Sequence, residues 1–149
     1  MERAGIGNRF LAALVDGLIA GLPSAIPLIG PIFGTLYTLT KDAAVYELTG
    51  RPDFRNRSIG KKLLGLEVQP SRLHPYVTWE VSIRRNIPLA IGNIIMIIPL
   101  LGWVIGPVIG LVMAIVEITM VLVSEDGRRI GDRLADTVVV NSPLDVSRD

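Results

Sequence analysis

The sequence predicts an all-α membrane protein with four short transmembrane helices, arranged as two tandem helix-hairpin repeats with cytoplasmic amphipathic helices and a small β pairing of the tails. Three observations carry this prediction: two long uncharged runs, a proline and glycine cluster inside each, and a series of motifs that occurs twice. Half of the 149 residues are hydrophobic and the mean hydropathy is +0.49, more apolar than a water-soluble domain of this length requires. No charged residue lies between Asp16 and Lys41, or between Arg85 and Glu117. Both runs exceed the roughly 18 residues that mark a membrane segment.

As one helix, the first run, from Phe10 to Thr40, would be about 46 Å long, against roughly 30 Å of hydrocarbon. Pro23, Pro27, Gly30 and Pro31 stand at its middle and predict a turn there, leaving two helices of about 14 residues each. Helices that short require bilayer thinning, Pro-bent geometry or protein neighbours. Pro99, Gly102, Gly106 and Pro107 predict an equivalent turn in the second run. An apparent signal sequence at the N-terminus is broken by Asp16, where an uninterrupted apolar stretch is needed.

An offset of 76 places residues 9–34 over residues 85–110 without a gap and matches Arg9 with Arg85, Pro23 with Pro99, Gly30 with Gly106, Pro31 with Pro107 and Gly34 with Gly110. An offset of 71 then places "RSIGKKLLGLEV", Arg57 to Val68, over "RRIGDRLADTVV", Arg128 to Val139. The chain therefore reads as one domain over residues 1–149, with repeat one at about 9–68, repeat two at about 85–140 and a C-terminal tail at 141–149. In each polar segment, apolar Ile59, Leu63, Leu64 and Leu66, or Ile130 and Leu134, alternate helically with charged residues. That spacing predicts helices lying on the inner membrane surface. The tails Leu66–Val68 and Val138–Val140 are β-prone and predict a two-stranded pairing. Both turns between paired helices are uncharged and the basic loops fall on one face, so both termini are expected in the cytoplasm of a prokaryotic cell, beneath its cytoplasmic membrane. The two halves would then be parallel repeats about an axis along the membrane normal.

Within this apolar text the charged residues are the candidate site. Arg9 and Asp16 are seven apart and share a helix face, but about 10 Å of rise separates them, so each needs other partners. Arg9 can snorkel from the helix start. Asp16 cannot, and an intramembrane carboxylate faces a partner, a cavity or an ion, or is protonated. The repeat proposes partners: Lys41 and Glu117 are equivalent at 76, Lys61 and Asp132 at 71, each with opposite sign. Near a two-fold axis such pairs would bridge, with Arg85 as the counterpart of Arg9. Gly17/Gly21 and Gly106/Gly110 offer small-residue faces for close helix contact. With so little volume inside four short helices, they point to a homo-oligomer or to other membrane chains as partners.

The sequence argues against several functions. There are no cysteines for disulfides or thiolate metal sites, and the single His74 sits in a Pro-flanked loop. Without a nucleophile near a base, an enzyme is not expected. "GKK" lacks the glycine-rich turn and following Ser/Thr of a phosphate loop, and topology accounts for the basic residues without nucleic acid. No cofactor or metal is expected.

These residues resemble the RDD family of small membrane proteins. The resemblance rests on Arg9, Ala12 and Asp16; on Ser58, Gly60, Lys61, Leu63, Leu64, Gly65, Leu66 and Val68; on Arg85 and Asn86; and on Asp132 to Val140, in that order along the chain. Asp136 stands where the family commonly has glycine, and a first hairpin shorter than usual argues against a deep substrate pocket. The resemblance implies a transport-related membrane protein of unsettled ligand, with cation/proton exchange described for some members. On that reading Asp16 exchanges a proton or monovalent cation, while Arg9 and Asp132 set its pKa or gate the cytoplasmic mouth. The alternative is a non-catalytic membrane scaffold or subunit, in which Arg9, Asp16 and Asp132 form a fixed polar network.

Overall fold

The computed structural model describes residues 3–24, 26–71 and 74–142. Helix α1 spans Ile6–Ser24 and α2 spans Gly30–Thr40. The polar connection holds α3, Ala44–Thr49, and α4, Ile59–Leu63, before strand β1, Leu66–Gln69. Helix α5, Trp79–Met96, and helix α6, Leu101–Val123, form the second hairpin. Helix α7, Ile130–Leu134, and strand β2, Val138–Asn141, follow. Thus hairpin, short helix and strand occur in the same order twice.

Local chemistry sets the boundaries. Ser24 Oγ donates to Ala20 O at 2.7 Å in the last turn of α1, and Pro31 opens α2, where its missing N–H costs no helix bond. Ser58 and Thr78 cap α4 and α5 by accepting from Lys61 N and Val81 N. In α7, Asp132 Oδ2 accepts from the Arg129 backbone N–H at 3.4 Å. The expected tail pairing is present: β1 and β2 are antiparallel, with Leu66 opposite Asn141 and Val68 opposite Val139. Asn141 therefore belongs to β2 rather than to the tail, and residues 143–149 lie outside the described residues.

The helix lengths differ from the expected equal pairs, since α1 has 19 residues and α2 only 11. The second turn ends before Leu101, so Gly102, Gly106 and Pro107 lie within α6 rather than in the turn. Their reason is packing: a Cβ on Gly92 of α5 would fall 2.6 Å from Gly110 Cα and 2.8 Å from Gly106 O. Glycine alone permits backbones to approach this closely.

The offset between the hairpins is also 72 rather than 76. Leu28 and Leu100 both adopt positive φ, at 71° and 63°. A Cβ on Gly30 would meet Pro23 O at 2.0 Å, and one on Gly102 would meet Ile95 O at 2.1 Å. Gly34 faces Ala20 and Ser24, as Gly106 faces Gly92 and Met96. All of these contacts are related by 72, which aligns "IPLIG" at 26–30 with "IPLLG" at 98–102.

In the packing, α2 lies against both α1 and α5, and α6 lies against α5. The outward surfaces are apolar, with Phe10, Leu14, Leu18 and Leu22 exposed on α1 and Val104, Val108, Leu111, Ile115 and Leu122 on α6. Inside are Asp16, Asp42, Arg85, Asn86 and Asp132, each at most 1% exposed. An apolar exterior around a charged interior inverts the soluble pattern and matches a bilayer as solvent. Helices α1 and α6 are long and apolar enough to cross a membrane.

This inversion overturns the expected orientation of the short helices. Gly60 and Lys61 of α4 and Gly131 and Asp132 of α7 are buried, while Leu63 and Leu134 are exposed. Lys61 and Asp132 point into the molecule, where their partners are, while Lys62 and Arg133 pair with Asp53 and Asp126 nearer the surface.

Candidate functional site

The buried charges form one connected network. Asp16, inside α1, is held from two elements, α2 and α4. Its Oδ1 accepts from Gly60 N at 2.8 Å and from Tyr37 Oη at 3.1 Å, and its Oδ2 accepts from Ser58 Oγ at 2.6 Å. Lys41 Nζ and Lys61 Nζ stand 3.6 and 4.0 Å from the same Oδ2. The close seat of α4 depends on Gly60, because a Cβ there would lie 2.2 Å from Ala12 O.

Lys61 also donates to Asp42 Oδ1 at 2.5 Å. Asp42 Oδ2 in turn lies 3.2 Å from Arg85 Nε and accepts from Asn86 Nδ2 at 3.1 Å. Arg85 reaches Asp132 Oδ1 through Nη2 at 3.0 Å and donates through Nη1 to Thr137 Oγ1 at 3.1 Å. Asp132 collects two more cations: Arg9 Nη2 at 2.9 Å and Arg129 Nε at 3.0 Å. Arg9 Nη1 donates to Gly127 O at 2.5 Å, and Arg129 Nη2 donates to Asn86 Oδ1 at 3.0 Å.

The electrostatics follow from this geometry. Burial alone would raise the Asp132 pKa, but Arg85, Arg129 and Arg9 together hold it down at about 2. Burial would likewise raise Asp42, and Lys61, Arg85 and Lys41 hold it well below the usual carboxylate range.

All seven sequence-predicted site residues lie in or beside this network, but not in the expected pairs. Arg9, expected to need a partner other than Asp16, pairs with Asp132. Lys41 pairs with Asp16 and Lys61 with Asp42, while Glu117 Oε1 accepts from Gly131 N at 3.1 Å. Among the described residues neither Lys41–Glu117 nor Lys61–Asp132 forms a bridge. The offset of 72 does not make Lys41 the counterpart of Glu117, and Lys61 and Asp132 are held by other partners, Asp42 and three arginines. Sequence reasoning missed Asp42, which looks like an ordinary boundary charge after Lys41. It also gave no role to Tyr37, Ser58, Asn86 or Arg129. Ser58 alone carried a local signal, as a serine three residues ahead of Lys61 at a helix start.

Beside the network lies a cavity of about 650 Å³ between α1 and α6. Small residues line its walls, Ala13, Gly17, Ala20 and Gly21 on α1 and Gly110 and Ala114 on α6. A Cβ on Gly17 or Gly21 would meet nothing within 4 Å. Asp16, Lys41, Lys61, Arg85, Glu117 and Arg129 form its charged end, and exposed Phe10, Leu14 and Leu122 its rim. The short first hairpin thus leaves a lateral cavity. Chemically, Asp16 has little left to offer a ligand, since its oxygens accept three hydrogen bonds and face two ammonium groups. Glu117 Oε2, by contrast, is buried and has no hydrogen-bond partner among the described residues.

Comparison with family models matches residues 43–136 to the RDD family. The chain belongs to the RDD family. The match covers Lys61, Arg85, Glu117 and Asp132 and begins after the first hairpin, so Arg9, Asp16 and Lys41 lie outside it. No curated protein and no solved structure matches this RDD chain. With two membrane-length apolar helices, membership marks a membrane protein.

Proposed function

We propose that this RDD protein is a non-enzymatic, transport-related membrane protein whose binding chamber is the cavity between α1 and α6. The observation that carries the reading is that cavity, which runs from an apolar rim to a charged end between two membrane-length helices. All four hairpin helices are embedded, as two repeats with both termini and the β pairing on the cytoplasmic side of the cell membrane. Helix α2 is about 16 Å long and does not reach across roughly 30 Å of hydrocarbon unaided. Local thinning beside it, with α1 and α5 as neighbours, accommodates the mismatch.

Cation or proton exchange at Asp16 is the weaker form of this reading, because exchange requires a carboxylate that can release its partners. Asp16 instead fixes α4 and α2 against α1. The polar groups left for a ligand are at Lys41 and Glu117. The scaffold alternative is favoured by the saturation of the Arg9–Asp132 pair and of Asp16, and it differs in one respect. In a scaffold, another chain or a second copy would close the gap between α1 and α6.

Because the chain has no cysteine, one spin label tests this. The label is placed on Ala114→Cys, which lines the cavity, and compared with one on fully buried Ala90→Cys. With the protein in liposomes, the label at 114 is expected to collide with oxygen or a nickel chelate, and the label at 90 with neither. A label at 114 as shielded as that at 90 would remove the chamber reading and leave the scaffold.

A further inference from the structure

Lys41 and Glu117 are each short of partners and face the same cavity. Among the described residues the Lys41 ammonium makes no hydrogen bond, and its one ion pair, to Asp16 Oδ2, is 3.6 Å long. It is 8% exposed. Glu117 is 3% exposed, and among the described residues its Oε2 makes no hydrogen bond while Oε1 accepts from Gly131 N. A buried carboxyl oxygen without a donor is costly, and so is a buried ammonium without acceptors.

The two groups are opposite in sign and do not bridge. A ligand that answers both carries a hydrogen-donating cation for Glu117 and an anion for Lys41. A bare cation answers only Glu117, and it would sit beside Lys41 in a network of five cations and four carboxylates, Arg9, Lys41, Lys61, Arg85 and Arg129 against Asp16, Asp42, Glu117 and Asp132. A bare anion answers only Lys41. Away from its charged end the cavity is mostly apolar, with Gly17, Gly21 and Ala114 leaving space between α1 and α6, and its rim of Phe10, Leu14 and Leu122 is exposed.

Taking the cavity as the binding chamber, as the reading above does, we propose that it holds one aminophospholipid, of the phosphatidylethanolamine type. The primary ammonium donates to Glu117 Oε2 and the phosphate accepts from Lys41. One acyl chain lies along the α1–α6 gap. A trimethylammonium headgroup has no N–H for Glu117, and a glycerol headgroup offers it a hydrogen without a charge.

The test is native mass spectrometry of the full chain released from nanodiscs that contain equal parts of phosphatidylethanolamine, phosphatidylcholine and phosphatidylglycerol. Wild type is expected to retain one phosphatidylethanolamine about tenfold over either competitor, the scale of one charge-assisted hydrogen bond. Glu117→Gln keeps the acceptor for Gly131 N and places an amide at the other position, so it should fold and lose the preference. Lys41→Met should lose it too. Should either variant fail to fold, wild type decides the matter alone through competition with soluble glycerophosphoethanolamine.

Retention of all three lipids alike, or preference for phosphatidylglycerol, would overturn the assignment while leaving the chamber standing if the label at 114 remains accessible. Binding of the soluble headgroup as tightly as the lipid would overturn the lipid assignment as well.

Discussion

At the residue scale, Asp132 and Asp42 carry the consequence easiest to measure. Both carboxyls have folded pKa values below the unfolded value of 3.8, Asp132 at about 2 and Asp42 well below the usual range. A lowered carboxylate pKa contributes stability that is fully present above the unfolded value and is lost as pH falls through the folded one. For Asp132 alone that is about 2 kcal/mol. The melting midpoint in detergent, followed by the fluorescence of Trp79 and Trp103, is therefore expected to hold down to about pH 4 and to drop steeply between about pH 4 and 2. A drop already complete at about pH 6 would contradict this account of the network.

Sequence alone reached this scale unevenly. Asp16 and Arg9 stood out because charge inside apolar text is anomalous. Asp42 did not, because it follows an apolar run at a place where boundary charges are ordinary, and only the fold brings Lys61, Arg85 and Asn86 around it.

At the element scale, two five-residue helices are seated on long ones by glycine. A Cβ on Gly60 would lie 2.2 Å from Ala12 O, and one on Gly131 would lie 1.9 Å from Arg85 O. Both neighbours are backbone and cannot rotate away. Gly60→Ala and Gly131→Ala are expected to cost about 1–3 kcal/mol or more by overpacking. Each should lower the melting midpoint and broaden the size-exclusion peak. Gly17→Ala and Gly21→Ala, open to the cavity, should leave both unchanged. Equal behaviour of the four variants would contradict the assigned packing.

The elements themselves were legible where backbone chemistry marks them: a break in each apolar run, the Ile-Gly helix starts and the valine-rich tails are present, although Gly102, Gly106 and Pro107 fall within α6 rather than in the second turn. The offset and the facing of α4 and α7 were not. Matching residue types at 76 aligned Gly106 and Gly110 of α6 with Gly30 and Gly34 of α2, whereas the positive-φ leucines align at 72. The amphipathic pattern of α4 and α7 was real, but Lys61 and Asp132 turn inward to the charge network while Leu63 and Leu134 are exposed.

At the scale of the whole molecule, the two hairpins are joined on one side and parted on the other. Helix α2 packs against α5, whereas α1 and α6 face one another across the cavity. A closed, symmetric four-helix arrangement would fill that gap, so its openness carries the chamber reading. The charge network beneath it ties α1 to α4 and α7, and α5 to α7 and to the connection after α2. On this account Asp16 fixes α2 and α4 against α1 and is not the group that exchanges with a ligand, while Arg9–Asp132 and Arg85–Asp42 hold the two halves together.

The most direct test is the melting midpoint of purified Asp16→Asn. Removing the charge leaves Lys41 and Lys61 without this partner, at a cost of about 3–5 kcal/mol. The account predicts a midpoint lower by roughly 10 °C. A wild-type midpoint would contradict it, because a carboxylate that the fold does not need is free to serve as an ion or proton site.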